Sequence, residues 1–372
     1  MCASPVRGGR ALSPLLIFVL LLTGCGARQP QTVRVSPDLR GFTLSPSGRP
    51  FTPWGLNYGH HGQLIEDFWA TDWSLLDHDF TAIEAVGANV VRVHLQFGKF
   101  MVGPEQPNRY ALQRLRRLLA IAAAHHVYLD LTGLGCYRVT DVPPWYDALD
   151  EKARWAAQAR FWKAIAKVCR DSSVVFCYDL MNEPFTPGDA RTSWYSGAPF
   201  GGLDFIQFIS KDPGGRRRED VAKAWVGAMT GAIRQEDPKH LITVGMLPWD
   251  VKWHFLSGFV PEELAPDLDF ISVHIYPAAG KIGQSMGGLK RFAVGKPVVI
   301  EETFPLYCGI DDERKFLIQS KQFASGWIGH FDGDSIDELR QLKKQGKINA
   351  GQSLYLAWAE MMEELKGKMW RD

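Results

Sequence analysis

Short, nearly continuous apolar runs alternate along this chain with longer stretches whose apolar residues recur every three to four positions. The runs are Pro53–Tyr58, Asn89–Leu95, Val127–Leu131, Val174–Met181, Leu241–Met246, Phe270–Tyr276, Val298–Glu302 and, less distinctly, Gly326–Phe331. Runs of this length without polar alternation read as strands covered on both faces. Between them the spacing predicts helices over Ser74–Val86, stopped by Gly87, and over Tyr110–His126, Glu151–Arg170 and Arg218–Glu236. A last helix, Gln352–Leu365, closes the chain. In the third helix Trp155, Phe161, Trp162 and Ile165 form the stripe that packs inward. Strand-then-helix units imply a parallel sheet, and eight of them close it into a (β/α)8 barrel, an α/β fold. Ahead of the first unit, Gly41–Ser45 and Pro50–Thr52 flank a Ser47-Gly48 turn, a β-hairpin placed to plug the barrel's bottom.

Composition fits one such domain. The chain has 372 residues, 46% of them apolar, and a single barrel commonly takes about 250 residues or more, so 41–372 is assigned to one catalytic domain acting as a monomer. A net charge of +1 gives no basic footprint. Arg216–Arg218 runs straight into Glu219 and Asp220, a solvated helix start, and no nucleic-acid partner is expected.

The N-terminus reads as an address. Arg7 and Arg10 precede Leu15–Leu22, an apolar stretch too short to span a bilayer, which ends in Leu22-Thr23-Gly24-Cys25. Residues 1–24 are therefore expected to be an export signal. The same four residues resemble the bacterial lipobox, which implies that Cys25 is the lipidated first residue of the mature chain. Gly26, where an inner-membrane lipoprotein would carry Asp, implies the outer membrane or cell surface. Contact with the membrane would run through the lipid alone, and the polar residues 26–40 would be its tether. The remaining cysteines, Cys136, Cys169, Cys177 and Cys308, show no paired metal spacing. Cys169 and Cys177 read as packed thiols, and Cys136 and Cys308, after strands on opposite sides of the barrel, are not expected to pair. The adjacent pairs His60-His61 and His125-His126 lack the i, i+4 spacing of helical ligands, so neither a catalytic metal nor a cofactor is expected.

Candidate chemistry gathers where the strands end. Asn182-Glu183-Pro184 closes the fourth run and Glu301-Glu302 the seventh, while Asn89-Val-Val-Arg92 and His274-Ile-Tyr276 close the second and sixth. In this order and at this spacing they resemble glycoside hydrolase family 5, the cellulase and mannanase family, from about Gly41 to the C-terminus. The resemblance implies a barrel with acids on strands 4 and 7 and a carbohydrate substrate. It also implies retaining hydrolysis of a β-linked polysaccharide or oligosaccharide, of glucan or mannan type. Glu183 would then be the general acid and base. Glu302 would be the nucleophile, on the face that alternation gives Val298 and Ile300, with Glu301 as its rival if a bulge swaps the two. Arg92 and Tyr276 would hold the nucleophile ionised, Asn182 would meet the sugar 2-hydroxyl, and His274 would touch substrate or Glu183. His94 shares Arg92's side of its strand, and Asp179 reads as Arg92's structural partner. Trp54, Trp249 and Trp327 are candidate sugar platforms.

Two positions depart from the family pattern. Strand 3 ends in Leu131-Thr132-Gly133 where the family has histidine, and strand 8 presents His330-Phe331 where it has tryptophan. Other classes compete. Gly283–Gly287 matches the serine-esterase G-x-S-x-G, with Asp311 and His330 downstream, but lacks a strand immediately before it. A barrel that binds carbohydrate without cleaving it is the other alternative.

Overall fold

The computed structural model describes residues 1–2, 30–248 and 256–370. Its centre is a closed barrel of eight parallel strands: β1 (Trp54–Gly59), β2 (Val90–Leu95), β3 (Tyr128–Gly133), β4 (Val175–Asn182), β5 (Leu241–Met246), β6 (Ile271–His274), β7 (Val298–Glu302) and β8 (Gly326–Asp332). Each lies within about two residues of an apolar run, and β8 pairs with β1 over six residues to close the ring. The (β/α)8 barrel expected from the patterning is the fold.

The periodic helices also form, over Trp73–Ala85, Arg109–Ala124, Glu151–Cys169, Arg218–Arg234 and Ala350–Leu365. Three more, Ile282–Arg291, Ile310–Ser320 and Ile336–Lys344, were not legible as helices. The first carries glycines at 283, 287 and 288, and the third is nine residues long with Leu339 alone buried, so each is a weak signal in sequence.

The N-terminal hairpin is a three-stranded antiparallel sheet. Phe42–Ser45 pairs with Arg49–Phe51 as expected, and Thr32–Val35 pairs along the other edge. The reading of 26–40 as tether is thus corrected over 32–35, where Thr-Val-Arg-Val alternates with period two and buries Val33. Residues 3–24 of the signal segment, and Cys25, lie outside the described residues. The sheet seals the barrel bottom: Val33, Phe42 and Phe51 pack on Val90, Phe176, Phe270 and Val299. The Phe42 ring meets Phe176 and Phe270 edge-on at 5.3 Å. With the bottom filled by apolar side chains, inward-pointing polar residues have room only in the upper barrel.

Candidate active site

Arg92 organises that upper half. Inward-pointing from β2 and fully buried, it can exist there only with acceptors around its guanidinium. Three strands reach it. Nη1 donates to Glu302 Oε1 and to Asn57 Oδ1, both at 2.7 Å, and Nη2 donates to Asp179 Oδ2 at 2.7 Å and Asn182 Oδ1 at 3.0 Å. Asp179 is therefore the partner anticipated for Arg92, and its other oxygen takes the Gly245 N–H at 2.8 Å.

Glu302 sits at the mouth, and its second oxygen accepts the Tyr276 hydroxyl at 2.7 Å. Tyr276 in turn lies 2.9 Å from His330 Nε2, with the two rings stacked at 6.0 Å. Across the barrel, Glu183 follows β4 in the left-handed region, φ 43°. Such backbone costs about 1–3 kcal/mol, and the following Pro184 bars the right-handed helical alternative. The turn is held by the Glu183 N–H donating to Gly245 O at 3.1 Å. His274 bridges the two acids: Nδ1 is 3.0 Å from Glu183 Oε1 and 3.5 Å from Glu302 Oε2. One oxygen of each glutamate and the His274 nitrogen lie within 4.8 Å of one another.

Burial alone would push the Glu302 carboxyl up, but the His274 and Arg92 charges and the Tyr276 hydroxyl hold it well below the usual carboxylate range. Burial would likewise depress His274, yet Glu302, Glu183 and Glu301 raise it to about 10. His94 moves the other way: burial and Arg92 keep it neutral, with Nδ1 2.7 Å from the Tyr137 hydroxyl. His330 is lowered to about 4 by burial.

The structure brings Arg92, His94, Asn182, Glu183, His274, Tyr276 and Glu302 together, and corrects three expectations. Val298 and Ile300 face the helices, so simple alternation would have sent Glu302 outward. A register shift between the Val273 and His274 pairings carries it to the mouth, with Glu301 fully buried beneath. Trp54 and Trp327 are not sugar platforms. They begin their strands, are 0% and 1% exposed, and pack on each other at 6.3 Å. Trp249 lies outside the described residues. Tyr146 and Trp194, in the loops after β3 and β4, are buried on either side of the Arg154 guanidinium. Gly283–Gly287 falls inside the helix Ile282–Arg291, so Ser285 is on no nucleophile elbow.

Asn57, Asp130 and Tyr137 belong to the site and were not singled out for it, and His330, noted only as a departure from the family pattern, belongs to it through Tyr276. Asn57 and Asp130 did leave a signal, each a polar residue within an otherwise apolar strand run. Among the described residues, two clusters have the donor types to hold a metal ion: Glu183, His274 and Glu302, and below them Asp130, Cys177 and Glu301.

Gly245 is required by close approach. A Cβ there would stand 2.8 Å from His274 Nε2, so Gly245→Ala pushes the imidazole off its line between the acids. A shift of that kind costs roughly a hundredfold in turnover. The expected result is a fall in kcat with an unchanged far-ultraviolet circular dichroism spectrum.

An eight-stranded barrel with one acid after β4 and another after β7 is the frame of a glycoside hydrolase. The chain belongs to the family described as Cellulase (glycosyl hydrolase family 5), whose model matches residues 46–304. It is 25% identical over 221 residues to mannan endo-1,4-beta-mannosidase F of Aspergillus clavatus, covering 51% of this chain and 44% of that protein. It thus spans less than half the length of that relative. A probable mannan endo-1,4-beta-mannosidase A of Aspergillus flavus is 22% identical over 339 residues, 76% of this chain and 80% of its own. Among solved structures, an exo-beta-1,4-mannosidase from an Opitutaceae bacterium aligns with TM-score 0.64 at 17% identity, over 91% of this chain and 63% of that one. An endo-1,4-beta-mannanase from Eisenia fetida aligns with TM-score 0.62 at 15% identity, over 91% and 96%.

Proposed function

We propose that this chain is a retaining glycosidase that cleaves β-1,4-mannosidic bonds through Glu183 and Glu302. The observation that carries the reading is their separation. One oxygen of each acid lies within 4.8 Å of the other, which leaves little room for the attacking water that an inverting pair holds between carboxyl groups roughly 6.5–9.5 Å apart. Glu302 then attacks the anomeric carbon as Glu183 gives a proton to the departing glycosidic oxygen. Glu183 next takes a proton from the water that releases the covalent glycosyl intermediate. Arg92, Tyr276 and protonated His274 keep Glu302 an anion, and Asn182, its oxygen held by Arg92 and one N–H donated to Phe205 O, directs its other amide N–H to the sugar 2-hydroxyl. His330, standing where the family pattern has tryptophan, fixes the Tyr276 hydroxyl rather than serving as a platform. The mannan assignment rests on the relatives' names and on family membership.

The test is hydrolysis of a panel of β-1,4-mannan, β-1,4-mannooligosaccharides and β-1,4-glucan by the purified protein. New reducing ends are expected from the mannan substrates ahead of glucan. Binding to mannan without turnover of any of these, or of an aryl β-mannoside, overturns the reading in favour of a carbohydrate-binding barrel.

Export and lipidation at Cys25 complete the proposal, on the strength of the Leu22–Cys25 motif after its basic and apolar segments. Cys25→Ser is expected to move the protein from the membrane fraction to the soluble one with kcat unchanged, because the lipid lies outside the barrel. A variant that stays membrane-bound through a salt wash contradicts the lipid anchor.

A further inference from the structure

Directly below the two catalytic glutamates lies a second set of acids that hydrolysis itself does not use. Asp130 on β3, Cys177 on β4 and Glu301 on β7 are fully buried, with one donor atom of each within 4.8 Å of the others. Both oxygens of Asp130, both oxygens of Glu301 and Nε2 of His274 have no ordinary hydrogen-bond partner. An unmatched buried polar group costs about 1–3 kcal/mol, so several facing one another mark the place where protons sit between them. Glu301 Oε2 is 3.6 Å from His274 Nε2 and 4.0 Å from Arg92 Nη2. The charges agree: four buried acids, Asp130, Asp179, Glu301 and Glu302, meet two buried cations, Arg92 and His274. A divalent cation among Asp130, Cys177 and Glu301 would lie against both existing cations, and burial keeps the Cys177 thiol protonated. A single proton halves the excess negative charge without that repulsion.

We propose that Glu301 is the positioning residue of His274, and that it keeps this place by sharing one proton with Asp130. The carboxylic acid of Asp130 donates to Glu301, and the Glu301 carboxylate accepts the His274 Nε2–H. The ring is thereby fixed with Nδ1–H donating to Glu183 Oε1, 3.0 Å away, beside Glu302. The protonation pattern follows the same division. Burial, reinforced by the Glu301 charge, lifts Asp130 far above an ordinary aspartate, whereas Arg92 and His274 hold Glu301 low despite its burial. The other titratable groups around the ring are Glu183, Arg92, His94, Tyr276, Glu302 and His330. Glu301, the rival for nucleophile, thus acquires a role one step behind the chemistry.

The inference rests on the proposed function for its effect on turnover, but the state of the ring can be read without turnover. In protein labelled with 15N-histidine, with His274→Gln used to assign the signal, His274 is expected to carry protons on both nitrogens well above pH 7. Glu301→Gln replaces the anion with a neutral amide. It is expected to lower the pH at which His274 loses its second proton and to lower kcat about a hundredfold, the low end of a general acid–base contribution. Asp130→Asn keeps one donor and one acceptor, as a protonated aspartate does. It is expected to leave the His274 signal unchanged. A wild-type His274 that is neutral at pH 7 overturns the proposal whether or not the variants fold. So does a ring indifferent to Glu301→Gln, or an Asp130→Asn variant as damaged as Glu301→Gln. Failure on every glycoside with the NMR pattern intact would instead locate the error in the proposed function.

Discussion

Replacing Glu302 with alanine lowers kcat on mannan substrates by on the order of 10⁴-fold or more, the scale seen when a covalent nucleophile is removed. The fold survives, because the change removes a negative charge from a region already crowded with acids. Added azide then restores turnover of an aryl β-mannoside by entering the space vacated by the carboxylate, and the product is the α-mannosyl azide. Glu301→Ala is expected to lose much less activity and more stability, since it leaves His274 and Asp130 unmatched in the barrel interior. Kinetics and denaturant midpoints of the two variants, measured side by side, check the ranking. The reverse order would hand the nucleophilic role to Glu301.

Arg92→Met is expected to be the most destabilising single change in the site. Its guanidinium is fully buried and pairs with Asp179 and Glu302 at 2.7 Å each, with Glu301 at 4.0 Å. Removing one side of a buried ion pair costs about 3–5 kcal/mol, because the other side remains as an uncompensated charge. Methionine fills most of the volume, so the loss reads electrostatics rather than a cavity. Chemical denaturation at neutral pH measures it, and a midpoint equal to wild type would mean that the acids find compensation elsewhere. Activity falls with stability, since the same guanidinium holds Glu302 ionised and turns the Asn182 oxygen away from substrate.

Burial on both faces makes a strand conspicuous in sequence, which is why every barrel strand was legible within about two residues. Helices that bury only a narrow strip were not, and the glycines of Ile282–Arg291 concealed that helix further. The second edge strand of the N-terminal sheet hid among prolines and charges although Val33 is among the most buried residues. In the site, the residues at strand ends were recoverable from their spacing, because a parallel barrel carries all such ends to one face. Which way a side chain turns at the end of a strand is set by register, and register comes from neighbouring strands. Glu302 reaches the mouth through a slip between β6 and β7 that nothing in Val298–Glu302 announces. Trp54 and Trp327 failed as platforms for a related reason: they open their strands instead of closing them, at the end of the barrel away from the acids. Asp130 was visible as a lone acid in Val127–Leu131, but its meaning depends on Glu301, which arrives from across the barrel.

The central claim is that Glu183 and Glu302 act by double displacement, and the configuration of the first-formed product tests it most directly. Proton NMR of the anomeric region, recorded in the first minutes of hydrolysis of a β-mannooligosaccharide before mutarotation, reads that configuration. The β-anomer is expected to appear first, with the α-anomer growing only as the product equilibrates. The α-anomer appearing first would mean that water attacks the sugar directly, and would contradict the role of Glu302 as nucleophile.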